Sequence, residues 1–397
     1  MVVGLKIAVV SGDDVGEDPG QLCAALAGRG VPVTAYVRQR ARRVAVNGTD
    51  PSYVTVQISA GPKKAQSDAD LLPFVGDWAG KLEHLWSSDR PDIVHAYGWL
   101  GGLAAQLAAR RHHLPIVQTF QGLAATSRSS PVDGREADSE HVERERIEPL
   151  LARNATWVTA ESTADLNALA KLRHSRARLS VLPGGVDGAR YTPVGPTLAR
   201  GDCHRVLCLA PNPLPRNGFD VVIRALPRVP DTEVVVAETA ATGHSHDTER
   251  DELRNLATQL GVADRVRFLG SVAGDELPKL LRSVDVLACT PRQPPRATAV
   301  LHAMASARAV VTLPVGVLTD VVVHAVTGLV VSPSKRGELV AALKSLQAHR
   351  FQCESMGAAG RSRALSRFTW DRAALESLTI YGQLGSASRP AAPRLAV

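Results

Sequence analysis

Apolar residues recur along this chain in two rhythms. Short continuous runs at 5–10, 32–37, 114–120 and 157–160 read as strands buried on both faces, and 53–58 reads as a further strand. Between them lie longer stretches of helical period. Over 70–86 the apolar positions are Leu71, Phe74, Val75, Trp78, Leu82, Leu85 and Trp86, one stripe of an amphipathic helix that packs into a core. Helices are expected at 21–27, from Gly101 onward, over 141–155 and from about Ser162, with strands ending at Val94 and at 179–182. Strand, helix and strand in close succession specify βαβ units and a parallel sheet.

After the Gly- and Pro-rich stretch PGGVDGARYTP the rhythm starts again. Strands are expected at 205–210, 232–237, 265–269, 285–289, 309–313 and 328–331, and helices at 219–226, 247–260, 276–282, 297–306 and 338–347. The pattern gives two doubly wound α/β domains, 1–190 and 191–369, joined by a hinge. A helix at 370–384 packs back on the first domain, and a Ser-, Pro- and Ala-rich tail at 385–397 is disordered. Two such sheets facing across a cleft would line it with strand carboxyl ends, where open α/β sheets bind ligands.

Composition changes this picture little. A hydrophobic fraction of 45% and a charged fraction of 21% suit a soluble globular chain, and an aromatic fraction of 4% leaves the core to Ala, Val and Leu. The net charge of +7 favours anionic partners. Its densest run, Arg38, Arg40, Arg42 and Arg43, lacks interleaved aromatics and reads as a solvated edge, so no nucleic-acid partner is expected. Cys23, Cys203, Cys208, Cys289 and Cys353 form no CxxC pair and have no histidine at metal-ligand spacing, which suits small buried residues of a reduced, cytoplasmic protein and no metal site. The amino-terminal apolar run meets Gly and acids at once, so neither a signal peptide nor a membrane span is expected.

Three places carry candidate chemistry. Residues 289–308, CTPRQPPRATAVLHAMASAR, place a helix amino terminus at a strand end between Arg292 and Arg296. Unpaired N–H groups and the helix dipole there suit an anion, although an ordinary βα turn with solvated arginines has the same pattern. His95 is expected at a strand's carboxyl end, either as a ligand contact or as a satisfied histidine in a turn. The turn after the first strand carries Gly12, Gly16 and Gly20 without the dinucleotide-binding spacing, and the polar stretch 124–139 reads as a mobile loop.

The segments HAYGWLGGLAA, PIVQTFQGLA, ERERIEPLLARNATWVTAES, LSVLPGGVDGARYTP, GVADRVRFLGSV, LLRSVDVLACTP, VLHAMASARAVV and VVVHAVTGLVVSP occur in this order. Together they resemble the retaining family-4 glycosyltransferases of the GT-B fold, in the group of the D-inositol-3-phosphate glycosyltransferase and the sucrose-phosphate synthases. The resemblance implies two Rossmann-like domains, a nucleotide-sugar donor (UDP- or GDP-sugar) on the second, an acceptor on the side of His95 and Gly12, and no required cofactor or metal. It also implies that Arg216, Asn217, Arg292, Arg296, Ala297, Thr298, Ala299 and His302 stand at donor-binding positions.

Several family side chains are replaced. Two glutamates that flank the start of the donor helix correspond to Pro294 and His302, and the active-site histidine corresponds to Gln121. The diphosphate-binding Arg and Lys correspond to Pro211 or Asn212 and to Asn217, with Arg216 one residue away as a substitute cation. The scaffold positions Gly184, Gly185, Asp187, Asp285, Asp320 and Gly328 are kept. With these replacements, the resemblance implies transfer of a sugar with retention, at impaired or altered activity. The alternative is an inactive relative that binds a ligand or regulates a partner protein. The basic surface leaves peripheral contact with an anionic membrane open.

Overall fold

The structure is a computed structural model that describes residues 4–12, 18–39, 52–62, 68–127, 139–239, 246–272, 274–335 and 337–388. The chain divides into two units, one formed by Met1–Pro183 with Trp370–Val397 and the other by Gly184–Thr369. The division falls at Pro183, earlier than the expected 190. The first unit contains β1 (Ile7–Ser11), α1 (Asp18–Ala27), β2 (Val33–Arg38), β3 (Val54–Ile58), α2 (Val75–Ser88), β4 (Ile93–Tyr97), α3 (Trp99–His112), β5 (Ile116–Phe120), α4 (Ser139–Asn154), β6 (Trp157–Ala160), α5 (Thr163–Arg173) and β7 (Leu179–Val181). Its seven strands are parallel in the order β3-β2-β1-β4-β5-β6-β7, so the order reverses between β1 and β4.

The second unit contains β8 (His204–Ala210), α6 (Phe219–Ala225), β9 (Thr232–Glu238), α7 (Asp247–Gln259), β10 (Val266–Ser271), α8 (Glu276–Arg282), β11 (Val286–Cys289), α9 (Thr298–Ala305), β12 (Ala309–Thr312), α10 (Leu318–Val321), β13 (Leu329–Val330), α11 (Glu338–Ala348) and α12 (Arg350–Arg367). Its sheet is parallel in the order β10-β9-β8-β11-β12-β13 and reverses between β8 and β11. The last helix, α13 (Trp370–Ser388), belongs to the first unit, where Ala374 and Tyr381 join Leu22 and Leu26 of α1 over Ile7, Val9 and Ile93.

The alternation of each strand explains the layers. In β1 and β4, Ala8, Val10, Val94 and Ala96 enter the core with Trp78, Trp86 and Ala105, whereas Ile7, Val9, Ile93 and Tyr97 face α1 and α13. Gly101 and Gly102 let α3 sit hard against the sheet. A Cβ on Gly101 would lie 2.9 Å from the Gly12 nitrogen, and one on Gly102 would lie 2.2 Å from the Gln118 side chain.

The structure departs from the expectations in identifiable places. Helix α12 was not foreseen, although Cys353, Met356, Gly357, Gly360 and Ala364 are its buried positions at helical spacing. Glycine and alanine weaken the hydrophobic signal there, but smallness is what the site needs: a Cβ on Gly357 would lie 2.2 Å from the Ala307 carbonyl oxygen. Helix α13 continues to Ser388, into the tail expected to be disordered from 385, while 389–397 lie outside the described residues. Arg38 is buried at the end of β2 and donates to the Ala60 and Pro62 carbonyls at 3.2 and 2.9 Å, so it is no part of a solvated edge; 40–43 lie outside the described residues. Most of the polar 124–139 stretch, 128–138, does as well. Cys203 is exposed, unlike Cys23, Cys208 and Cys353. Among the described residues no helix is long and apolar enough to cross a membrane.

Candidate functional site

In the second unit, the loops after β8, β11 and β12 meet at the carboxyl ends of their strands. The β8 loop carries a 3-10 turn, Pro215–Asn217, closed by Gly218 in the left-handed region (φ 72°). Thr290, just after β11, donates its hydroxyl to the Gly218 carbonyl at 2.9 Å, and the Arg292 backbone N–H donates to the Arg216 carbonyl at 2.8 Å. The Arg292 guanidinium grips Asp220 with two bonds of 2.8 and 2.6 Å and reaches the Pro215 carbonyl at 2.5 Å. Arg292 was expected on a phosphate. Its charge is instead matched by a carboxylate in the first turn of α6, because a planar guanidinium and a carboxylate fit each other bidentately.

Asn217 turns back onto its own loop, donating to the Asn212 carbonyl and side-chain oxygens at 2.8 and 2.9 Å. The neighbouring Arg216 is exposed, and among the described residues its side chain makes no hydrogen bond or ion pair. It is the cation of this loop left available to a ligand.

Helix α9 begins without a side-chain cap, with Ala297 at its N-cap and Thr298 and Ala299 half-buried behind the half-buried Arg296. Its first N–H groups have no intrahelical partner, and among the described residues no side chain caps them. Pro294 abuts the loop after β12: a Cβ on Gly316 (φ 54°) would lie 2.7 Å from that of Pro294. One turn into α9, His302 stacks on Tyr191, with ring centroids 3.8 Å apart and planes 12° from parallel. His302 Nδ1 is buried and has no hydrogen-bond partner among the described residues. Burial, with a smaller push from Arg190, lowers its pKa to about 3, so the ring is neutral at physiological pH. Tyr191 itself was not foreseen as part of the site. It is held through its carbonyl by Arg361, which also reaches the Ala305 carbonyl at the end of α9.

In the first unit, Gln121 follows β5 and donates its amide to Asp18 (3.0 Å), at the start of α1, and to Glu161 (3.1 Å), directly after β6. Both carboxylate residues are buried, and Gln121 Oε1 is sealed off with no partner among the described residues. Asp18 and Glu161 were missed by sequence reasoning; their place immediately at an element's edge beyond the sheet's carboxyl end was the signal. Gly12, half-buried after β1, lies under the start of α3.

His95 is not available to an acceptor. It sits within β4, which runs to Tyr97 rather than ending at Val94, and its side is the one covered by α13. One ring nitrogen pairs with the Tyr381 hydroxyl at 2.5 Å and the other with the Thr119 hydroxyl at 2.6 Å, and the residue is fully buried. Burial lowers its pKa to about 3. An unfolded histidine protonates near 6.5, so as pH falls below that value the unfolded chain binds a proton that the folded chain refuses. The stability held above pH 6.5 is thus lost as pH falls toward 3, by about 2 kcal/mol at pH 5 for this one residue. Chemical unfolding at pH 7 and pH 5 is expected to show this loss, and His95→Gln to flatten the dependence by that amount. An unchanged dependence in the variant would show that His95 is not its source.

The carboxyl-terminal portion, residues 204–363, matches the family model described as "Glycosyl transferases group 1", and residues 15–185 match that of a "Glycosyl transferase 4-like domain". The D-inositol 3-phosphate glycosyltransferase of Actinosynnema mirum is 31% identical over 390 residues, covering 91% of this chain and 90% of that protein. Its namesake from Xylanimonas cellulosilytica is 30% identical, covering 94% and 91%. Among solved structures, sucrose-phosphate synthase from Thermosynechococcus elongatus superposes with a TM-score of 0.83 at 22% identity, over 97% of this chain and 100% of that one. Anabaena HepE in complex with UDP-glucose superposes with a TM-score of 0.73 at 19% identity, over 96% and 100%.

Proposed function

The chain belongs to the group 1 glycosyl transferases, with the GT-B architecture of two Rossmann-like units, and from that premise we propose that it binds a nucleotide sugar on its second unit and transfers the sugar slowly, with retention. The observation that carries this reading is the pairing of an uncapped α9 with the adjoining β8 loop, tied by the bond from Arg292 to Arg216. The N–H groups of Arg296, Ala297, Thr298 and Ala299 hold the diphosphate, since backbone donors survive side-chain replacement. Arg216 and Arg296 supply the positive charge. The UDP-glucose bound by HepE supports a UDP-sugar as the first donor to try.

Retaining transfer needs stabilisation of the departing diphosphate and of a sugar with oxocarbenium character. Asn217, Pro294 and His302 supply neither a cation nor a carboxylate, so leaving-group charge rests on fewer groups and turnover is low. Gln121, Asp18 and Glu161 form one buried polar cluster in the first unit that holds the chain after β5 in place.

A second reading, an inactive member that binds a ligand or serves a partner protein, is favoured by the packing of Pro294 against Gly316 and of His302 against Tyr191. Calorimetry with UDP- and GDP-sugars separates the possibilities. Binding in the micromolar range with slow release of nucleotide is the expected result. Binding without release or transfer favours the inactive member, and no heat from any of these donors removes the donor site altogether.

A further inference from the structure

The connections that lead into β5, β6 and β7 lie side by side along the amino edge of the first sheet, opposite the edge where open α/β sheets bind ligands. Each follows a helix, α3, α4 or α5, and each is basic. Residues 107–115, LAARRHHLP, 150–156, LLARNAT, and 168–178, ALAKLRHSRAR, contain neither Asp nor Glu. The fold builds their cations into one surface. Arg153 at the end of α4 donates to the Leu172 carbonyl at 3.1 Å, and Arg173 at the end of α5 returns bonds to the Ala152 and Ala155 carbonyls. Arg176 donates to the Asn167 side chain at 2.8 Å, and Arg90 fixes the end of α3 through the His112 carbonyl at 2.8 Å. None of these bonds meets a carboxylate, so the charges are held in place without being neutralised. Arg110, Lys171 and Arg178 are exposed and, among the described residues, make no ion pair. Before β4, the next strand of the sheet, Asp89 pairs with Lys6 and Asp92 accepts from the Lys6 backbone, while Glu83 of α2 pairs with Arg111. Burial and then the charge of Arg178 push the Arg173 pKa below its ordinary value, as uncompensated like charges do.

Cations in the last turn of a helix complement its dipole, but that dipole amounts to about half a charge at each helix end, too little for this row. Packed helices stand about 10 Å apart, so three helix ends make a row about 20 Å wide, more than a single phosphate fills. Leu107 and Leu150 narrow the choice of partner. They are 47% and 52% exposed, and each stands three residues before an exposed arginine, Arg110 or Arg153, hence on the same side of its helix. The adjoining helices α3 and α4 thus carry the same pair, an apolar side chain about one turn from a cation. Nucleic acid is not favoured, because no Phe, Tyr or Trp stands in these segments to stack on a base. A bilayer surface takes both features, the leucines at the acyl boundary and the cations among anionic headgroups. We propose that this edge of the first unit is a docking surface for an anionic phospholipid membrane.

Cosedimentation of the full chain with phosphatidylcholine vesicles, with and without phosphatidylglycerol, tests the surface. Binding is expected only where the anionic lipid is present, and is expected to weaken as added salt shortens the reach of the attraction. Arg110→Gln, Lys171→Gln and Arg178→Gln together are expected to weaken it about 100-fold, at about fivefold per cation near the membrane. These three side chains make no hydrogen bond or ion pair among the described residues, so the variant keeps its fold, which an unchanged melting temperature checks. Arg228→Gln, Lys344→Gln and Arg350→Gln make an equal change of net charge at exposed positions of the second unit and are expected to leave binding within about twofold. Leu107→Gln with Leu150→Gln, all cations intact, is expected to weaken binding at least about threefold, because it removes apolar area from the interface. No binding to the mixed vesicles overturns the proposal and leaves the cations to a soluble acidic partner. Undiminished binding in the first triple variant overturns it, as do equal losses in both triple variants, since net charge alone would then hold the chain to lipid. Full binding in the leucine variant overturns it as well, by showing a contact that ignores the apolar boundary of the bilayer.

Discussion

Gly218→Ala is expected to destabilise the second unit by about 3 kcal/mol and to lower its melting temperature by roughly 6–12 °C. Two costs add. The residue has φ 72°, a conformation that alanine adopts only with strain. A Cβ built there would also lie 1.8 Å from the Thr290 carbonyl oxygen, which is backbone at the end of β11 and cannot rotate aside. Relief requires the β8 loop to part from the β11 loop, breaking the bonds from Thr290 to Gly218 and from Arg292 to Arg216. Gly201→Ala, at a glycine with open space around it, is the control and should change stability by less than about 0.5 kcal/mol. Denaturant unfolding followed on both variants measures the difference. A loss below 1 kcal/mol for Gly218→Ala would mean that the two loops are not locked together at this point, and that Arg216 is free to leave the start of α9.

That contact marks the boundary of what sequence reasoning reaches. The strand over 157–160 and the helix over 276–282 were expected where they occur, because each has a local apolar period and clear ends. The parallel direction of the strands in both sheets follows from repeated βαβ units, whereas the strand order within each sheet was not read from the sequence. Helix α9 was expected one residue early, since Ala297 is its cap. By contrast, the partner of Arg292 is Asp220, far away in sequence, and nothing local in PRQPPR announces it. Tyr191 and His302 likewise meet only through the fold. His95 was partly legible. In IVHAY it shares its parity with Ile93 and Tyr97, and strand alternation places all three on one buried face once the strand is allowed to run past Val94. Its hydroxyl partners on α13 and β5 were not legible, because polar partnership in a core depends on tertiary register.

Combining Asn217→Lys, Pro294→Glu and His302→Glu is expected to raise turnover of a nucleotide-sugar donor by about 100-fold or more, from the few kcal/mol that a diphosphate cation or a preorganised donor contributes in such transition states. The three changes act on different parts of one ligand. A lysine at 217 would exchange the internal bonds from Asn217 to Asn212 for a cation beside Arg216, where leaving-group charge develops. Glutamate at 294 would replace a ring packed on Gly316 with a carboxylate, and at 302 would restore a group that accepts from two hydroxyls. Because the groups meet the same ligand, their effects should not simply add, and the single variants belong in the same experiment. Nucleotide release from UDP- and GDP-sugars measures the rate, and calorimetry measures affinity separately. A gain in affinity alone would place the added groups on the ground state rather than the transition state. A gain in neither would mean that the Pro294–Gly316 and Tyr191–His302 contacts have reshaped the site past rescue by side chains, which is the outcome an inactive member of the family requires.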